Sequence, residues 1–71
     1  MPYIHVQITR EGVTSDQKAQ IISGATDLMV DILGKDPRTT FVVIEEVDLE
    51  NWGVGGVPVQ TYRQQNKAAG T

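Results

Sequence analysis

The sequence predicts an α+β fold: a single βαβ unit with parallel strands and a short C-terminal hairpin, assembled into an oligomer. Three observations predict it. Residues 3–9 alternate between apolar and polar, apolar residues then recur at helical spacing between Ile21 and Leu33, and a β-branched run follows at 39–47. A strand, a helix and a second strand in this order imply a right-handed crossover between parallel neighbours. The 71 residues leave room for one domain, read as 1–71 with a polar tail at 60–71.

Each element has a local reason. In YIHVQIT, Ile4, Val6 and Ile8 share one face and Tyr3, His5, Gln7 and Thr9 the other, the period of a half-buried strand. Arg10, Glu11 and Gly12 read as a turn. Thr14 followed by Gln17 has the spacing of a reciprocal capping box, and Asp16 adds a favourable negative charge in the first turn. Apolar residues at 21, 22, 25, 28, 29, 32 and 33 mark one face of a helix about 19 residues long. Gly34 stands where a left-handed cap is expected, and Pro37 blocks continuation. Gly24 costs this helix up to about 1 kcal/mol relative to Ala unless close packing needs the small residue. TTFVVIEEV is apolar enough to be covered on both faces. NWGVGGVPV carries three glycines in four residues, a tight turn between two short arms. The polar remainder, QTYRQQNKAAGT, reads as a mobile tail or one wrapped on a neighbour.

Two strands and one helix cannot cover a sheet alone. Small domains make up the deficit with disulfides, a metal or oligomerisation. The chain has no cysteine and one histidine, so disulfides and a Cys/His zinc site are excluded and a homo-oligomer is expected. Six scattered cations against nine acids, a net charge of −3, speak against a nucleic-acid partner. No apolar run approaches the roughly 20 residues of a membrane span, and the start lacks a signal-like segment. The expectation is a soluble, cytoplasmic protein with neither membrane nor nucleic acid as partner.

Pro2 has two readings. It is either a proline that happens to be second or, once Met1 is removed, a secondary amine. An α-amino group titrates near neutrality, roughly 7.7–8.0. It can therefore take up a proton and return it elsewhere on the same molecule without a cofactor or metal. The Gly-Val-Gly-Gly run lacks the Lys-Ser/Thr of a phosphate loop and reads as a turn. His5, on the polar face of the first strand, reads as a surface or interface group. Glu45 and Glu46 are open to a proton-relay role or to that of strand-end charges.

Taken together, the Met-Pro start, the TREGVTSDQKAQ join and NWGVGG after the second strand resemble the tautomerase superfamily. The resemblance is to its short 4-oxalocrotonate tautomerase-like group, over about residues 2–58. It implies a homohexamer without a cofactor or metal, in which Pro2, exposed by loss of Met1, is the general base. It also implies arginines that bind the substrate's carboxylate and polarise its carbonyl, and an aromatic pocket residue before the glycine turn, here Trp52. Trp52 serves equally as an interface anchor. Members carry arginine after the Glu-Gly turn and inside the second strand, where this chain has Val13 and Phe41. Arg10 and Arg38 are thus the offset catalytic candidates, and Phe41 a pocket candidate beside Trp52.

Eight strand steps of about 3.3 Å separate Pro2 from Arg10 by roughly 26 Å. Arg10 would then serve a neighbour's Pro2, whereas Arg38 opens the parallel strand at the end where its own Pro2 lies. As solvated surface charges, either would have little energetic consequence. The implied function is a cofactor-independent tautomerase acting on a small anionic, enolisable keto acid such as a 2-hydroxymuconate-type dienol. The alternatives are hydration or dehalogenation of a haloacrylate on the same site, and a non-catalytic oligomeric scaffold. Retention of Met1 would favour the scaffold, because it leaves Pro2 a non-basic amide.

Overall fold

The computed structural model describes residues 1–67. Strand β1 (Tyr3–Thr9) leads to helix α1 (Ser15–Leu33), a 3-10 turn at Pro37–Thr39 and strand β2 (Phe41–Val47). A second 3-10 turn (Leu49–Asn51) then precedes β3 (Gly53–Val54), β4 (Val57–Pro58) and helix α2 (Val59–Lys67). β1 and β2 are parallel, in register from Tyr3↔Phe41 to Thr9↔Val47. β3 and β4 are antiparallel.

Local chemistry accounts for most boundaries. The Thr14 hydroxyl accepts from the Gln17 N–H at 3.1 Å, and the Gln17 side chain accepts from the Thr14 N–H at 2.9 Å, completing the expected capping box. Gly34 ends α1 at φ 65°, donating to the Val30 carbonyl at 2.9 Å; glycine enters this left-handed region without a Cβ penalty. Gly55 and Gly56 take φ 61° and 86°, the double positive φ of a two-residue hairpin whose twist matches its strands.

Two expectations are corrected. β2 starts at Phe41 rather than residue 39, because Asp36 organises the preceding turn. Its carboxylate accepts from the Arg38 N–H at 2.9 Å, and the Thr39 and Thr40 hydroxyls donate to its carbonyl. Such local bonds compete with the strand ladder. The polar tail at 60–71 is instead helical through residue 67; the rest of that stretch lies outside the described residues. The Val59 N–H donates to the Trp52 carbonyl at 2.7 Å, and Arg63 pairs with Glu11, so both backbone and side chains hold α2 in place.

Lys18 of α1 reaches Glu46 of β2 at 2.7 Å, which puts the helix on the sheet face carrying Ile4, Val6, Ile8, Val42 and Ile44. Those side chains are only half-buried, and the opposite face is open, with Tyr3, Phe41 and Val43 exposed. Among the described residues the only buried apolar one is Val59, at 6% exposure, the first residue of α2. Ile22, Leu28, Ile32 and Leu33 of α1 are exposed as well. A compact domain of this length has a radius of gyration of about 11 Å. This chain measures 16.1 Å, with extents of 47 × 23 × 20 Å. A Cβ at Gly24 would meet nothing within 4 Å, so packing within the chain does not explain that glycine. Among the described residues no helix is long and apolar enough to cross a membrane.

A chain with so little core is expected to draw its stability from neighbouring copies. Its melting temperature should then rise with protein concentration, and light scattering should give a multiple of 7.8 kDa. A folded 7.8 kDa species with a concentration-independent transition would contradict this.

Candidate active site

Pro2 lies against the start of β2. Its carbonyl accepts the Phe41 N–H at 3.0 Å, which extends the parallel ladder by one step. A proline has no N–H to contribute to a ladder, and its ring fixes φ, so this carbonyl contact sets its position. Pro2 is half-buried, and Phe41, paired with Tyr3, stands beside it. Arg38 occupies the 3-10 turn at the same end, with its side chain 87% exposed. Its guanidinium folds back onto Asp36 in a two-point contact, Nε to Oδ1 at 3.2 Å and Nη2 to Oδ2 at 2.9 Å. These bonds lower the Asp36 pKa and raise that of Arg38, so the pair stays ionised.

Arg10 lies at the other end of the sheet, where its N–H donates to the Val47 carbonyl at 2.8 Å. Its side chain, 57% exposed, donates from Nε to Asp48 Oδ1 at 2.8 Å, and Nη1 stands 3.7 Å from Glu46 Oε2. Glu46 is 14% exposed and also accepts from Lys18 Nζ at 2.7 Å. The Lys18 hydrogen bond is the main cause of a lowered Glu46 pKa, with the charges of Lys18 and Arg10 adding to it. Trp52, half-buried, follows the 3-10 turn that leaves this end of β2.

The five candidates therefore fall into two groups at opposite ends of β1 and β2: Pro2, Arg38 and Phe41 at one, Arg10 and Trp52 at the other. Within one chain they do not form a single site. Sequence reasoning missed Lys18 and Asp48, which surround Arg10 together with Glu46. Their only sequence signal is the parity of β2, which becomes informative once α1 has been assigned to a face.

Other polar contacts lie apart from these two ends or border them. His5 Nε2 stands 3.2 Å from Glu45 Oε1 on the open sheet face, and Gln7 donates to the same oxygen at 2.7 Å. Glu11 accepts from the Thr9 hydroxyl and from Arg63, Nη1 at 2.5 Å and Nη2 at 3.2 Å. Chiefly through Arg63, these contacts lower the Glu11 pKa to about 2. A shallow groove of about 420 Å³ beside the start of α1 is lined by Val13, Gln17, Gln20 and Ile21 and contains none of the five candidates. Among the described residues no group of three His, Asp or Glu side chains could hold a metal ion.

Comparison with known proteins places these features in a wider set. A family model described as Tautomerase enzyme matches residues 2–62. The probable tautomerase K2 of Dickeya dadantii is 54% identical over 65 residues, covering 92% of this chain and 97% of that one. The crystal structure of DmpI from Helicobacter pylori matches with a TM-score of 0.83 at 43% identity, over 89% of this chain and 97% of the other. A structure of the 4-oxalocrotonate tautomerase isozymes from Methylibium petroleiphilum matches with a TM-score of 0.78 at 33% identity, over 86% and 97%.

The Glu11–Arg63 pair makes the docking of α2 sensitive to acid. The folded-state pKa of Glu11 lies below its ordinary 4.5, so its contribution is complete above that pH and is lost as pH falls toward about 2. Amide exchange of the α2 backbone should accelerate relative to α1 across this window. Arg63→Ala should show fast α2 exchange already at neutral pH and no acid step. Equal protection of α2 in the variant would show that the ion pair does not hold the helix.

Proposed function

The chain belongs to the tautomerase family, which makes it an isomerase, and we propose that Pro2, freed by removal of Met1, is its general acid–base. What supports this most directly is that the family match begins at residue 2, the residue whose amine could do the chemistry. The substrate proposed is a small, anionic, enolisable keto acid, handled in the cytoplasm without a cofactor. The neutral amine takes the proton of the enol hydroxyl. The electron pair left on oxygen forms the carbonyl, the carbon–carbon double bond shifts, and the prolinium returns a proton to carbon. Substrate and product have the same composition, so no co-reactant is needed.

Two features support the amine's role. The Phe41 N–H holds the Pro2 carbonyl, which fixes the ring at the sheet end. Phe41, half-exposed at the same sheet end, would offer apolar surface to a substrate held there. A preorganised cation facing the enolate oxygen would stabilise the charge that develops during transfer. Arg38 shares the Pro2 end, whereas Arg10, at the far end of β1, can only serve the Pro2 of another copy. The open sheet face and the extended shape support a homo-oligomer, proposed to be a hexamer, in which such a shared site could form.

Activity toward a 2-hydroxydienoate should rise with pH through a single ionisation. A variant carrying one extra residue before Pro2 should keep the fold and lose the activity. Intact-protein mass should show that the active material lacks Met1. Full activity in the N-terminally blocked protein would remove Pro2 from the mechanism.

Arg10→Ala should lower kcat/KM by roughly ten- to a hundredfold, the equivalent of a lost charge-assisted contact of about 1.5–3 kcal/mol. Mixing Arg10→Ala chains with Pro2-blocked chains under subunit exchange should restore part of the activity. If exchange is demonstrated and no activity returns, Arg10 is not a member of a shared site.

A further inference from the structure

We infer that the site is built for an acid bearing a single carboxylate and discriminates against dicarboxylates, an inference that rests on the Pro2 reading above. Every described arginine already holds a carboxylate of its own chain: Arg10 with Asp48, Arg38 with Asp36 and Arg63 with Glu11. At the Arg10 end, Arg10 and Lys18 are matched by Glu46 and Asp48, two charges of each sign. At the Pro2 end, Asp36 takes the Nε–Nη2 edge of the Arg38 guanidinium in a two-point contact. Lys35 follows Gly34 at the C-terminal end of α1, between Asp31 and Asp36 in sequence, where unpaired helix carbonyls add further negative potential. A Pro2 amine acting as base is itself uncharged.

Whichever arginine meets the substrate therefore brings an anion with it. On Arg10 the Nε is committed to Asp48 at 2.8 Å, but the Nη atoms have only weak contacts, 3.7 Å to Glu46 Oε2 and 3.4 Å to the Glu46 carbonyl. That edge of the guanidinium can donate to one carboxylate in a two-point contact. A second carboxylate would find no arginine free of a carboxylate partner. It would lie near Asp48 or Asp36, where like charges repel, and it would lose hydration without a partner. Because both arginines are already paired, this outcome is independent of which one is used.

The test compares 2-hydroxypenta-2,4-dienoate with 2-hydroxymuconate, which share the dienol and differ by one terminal carboxylate. Protein whose mass shows that Met1 is absent should turn over the monocarboxylate with at least a tenfold higher kcat/KM. Asp48→Asn or Asp36→Asn, whichever relieves the arginine in use, should narrow that ratio at least fivefold by improving the dicarboxylate. Either substitution keeps the side-chain size, and in Asp36→Asn the remaining amide oxygen can still accept from the Arg38 N–H. Equal or better turnover of the dicarboxylate by the unmodified protein would overturn the inference and leave Pro2 as the base. A monocarboxylate preference that neither substitution moves would overturn it too, since the carboxylates would not be its cause. Turnover of neither acid would overturn the Pro2 reading and the inference with it.

Discussion

The parallel register of β1 and β2 is the constraint on which the other features depend. Pairing Tyr3 with Phe41 and Thr9 with Val47 places the two strand starts together and the two strand ends together. Pro2 is thereby set beside Phe41, and Arg10 beside Val47 and Asp48. A slip of one residue would turn Ile4, Val6 and Ile8 away from α1 and separate these pairs at the same time. Fold and site chemistry are thus specified by the same ladder of hydrogen bonds.

That ladder is only two strands wide, and one helix covers one of its faces. Two strands do not make a self-sufficient sheet in water. The exposed Tyr3, Phe41 and Val43 of one face and the exposed Leu28, Ile32 and Leu33 of α1 are apolar surface that the chain cannot bury alone. The same geometry separates the candidate site groups to opposite ends of the sheet. A neighbouring copy would answer both deficits, covering apolar surface and bringing an Arg10 to a Pro2. Stability and catalysis would then share one interface, and a substitution that weakens assembly would cost activity without touching the substrate.

Charge is arranged as tightly as hydrogen bonding. The carboxylates of Asp36, Glu46 and Glu11 are all held below their usual pKa range by a basic neighbour, and two of the pairs, Lys18–Glu46 and Arg63–Glu11, tie together elements distant in sequence. Exposed pairs of this kind contribute little energy singly. Their effect here is on placement: Glu46 orients Lys18 and stands near Arg10, and Glu11 brings α2 back toward the end of β1.

The features determined by the sequence alone are those decided within a few residues. The Thr14–Gln17 box, the left-handed Gly34 cap, the Gly55–Gly56 turn and the alternation of β1 each depend on near neighbours and were legible for that reason. The Met-Pro start likewise singles out Pro2 as a candidate, because the amine proposed for it depends only on being first once Met1 is removed. Tertiary structure decided what depends on distant partners. Arg10 meets Asp48 across 38 positions, Lys18 meets Glu46 across 28 and Arg63 meets Glu11 across 52. Helix α2 belongs with these. Its sequence is polar and has no clear apolar stripe, and it is held by a Trp52 carbonyl and a Glu11 carboxylate that become neighbours only when the chain turns back on itself. Local propensity acts through bonds a few residues long, whereas the electrostatic character of each arginine depends on which carboxylate the fold places within reach of it.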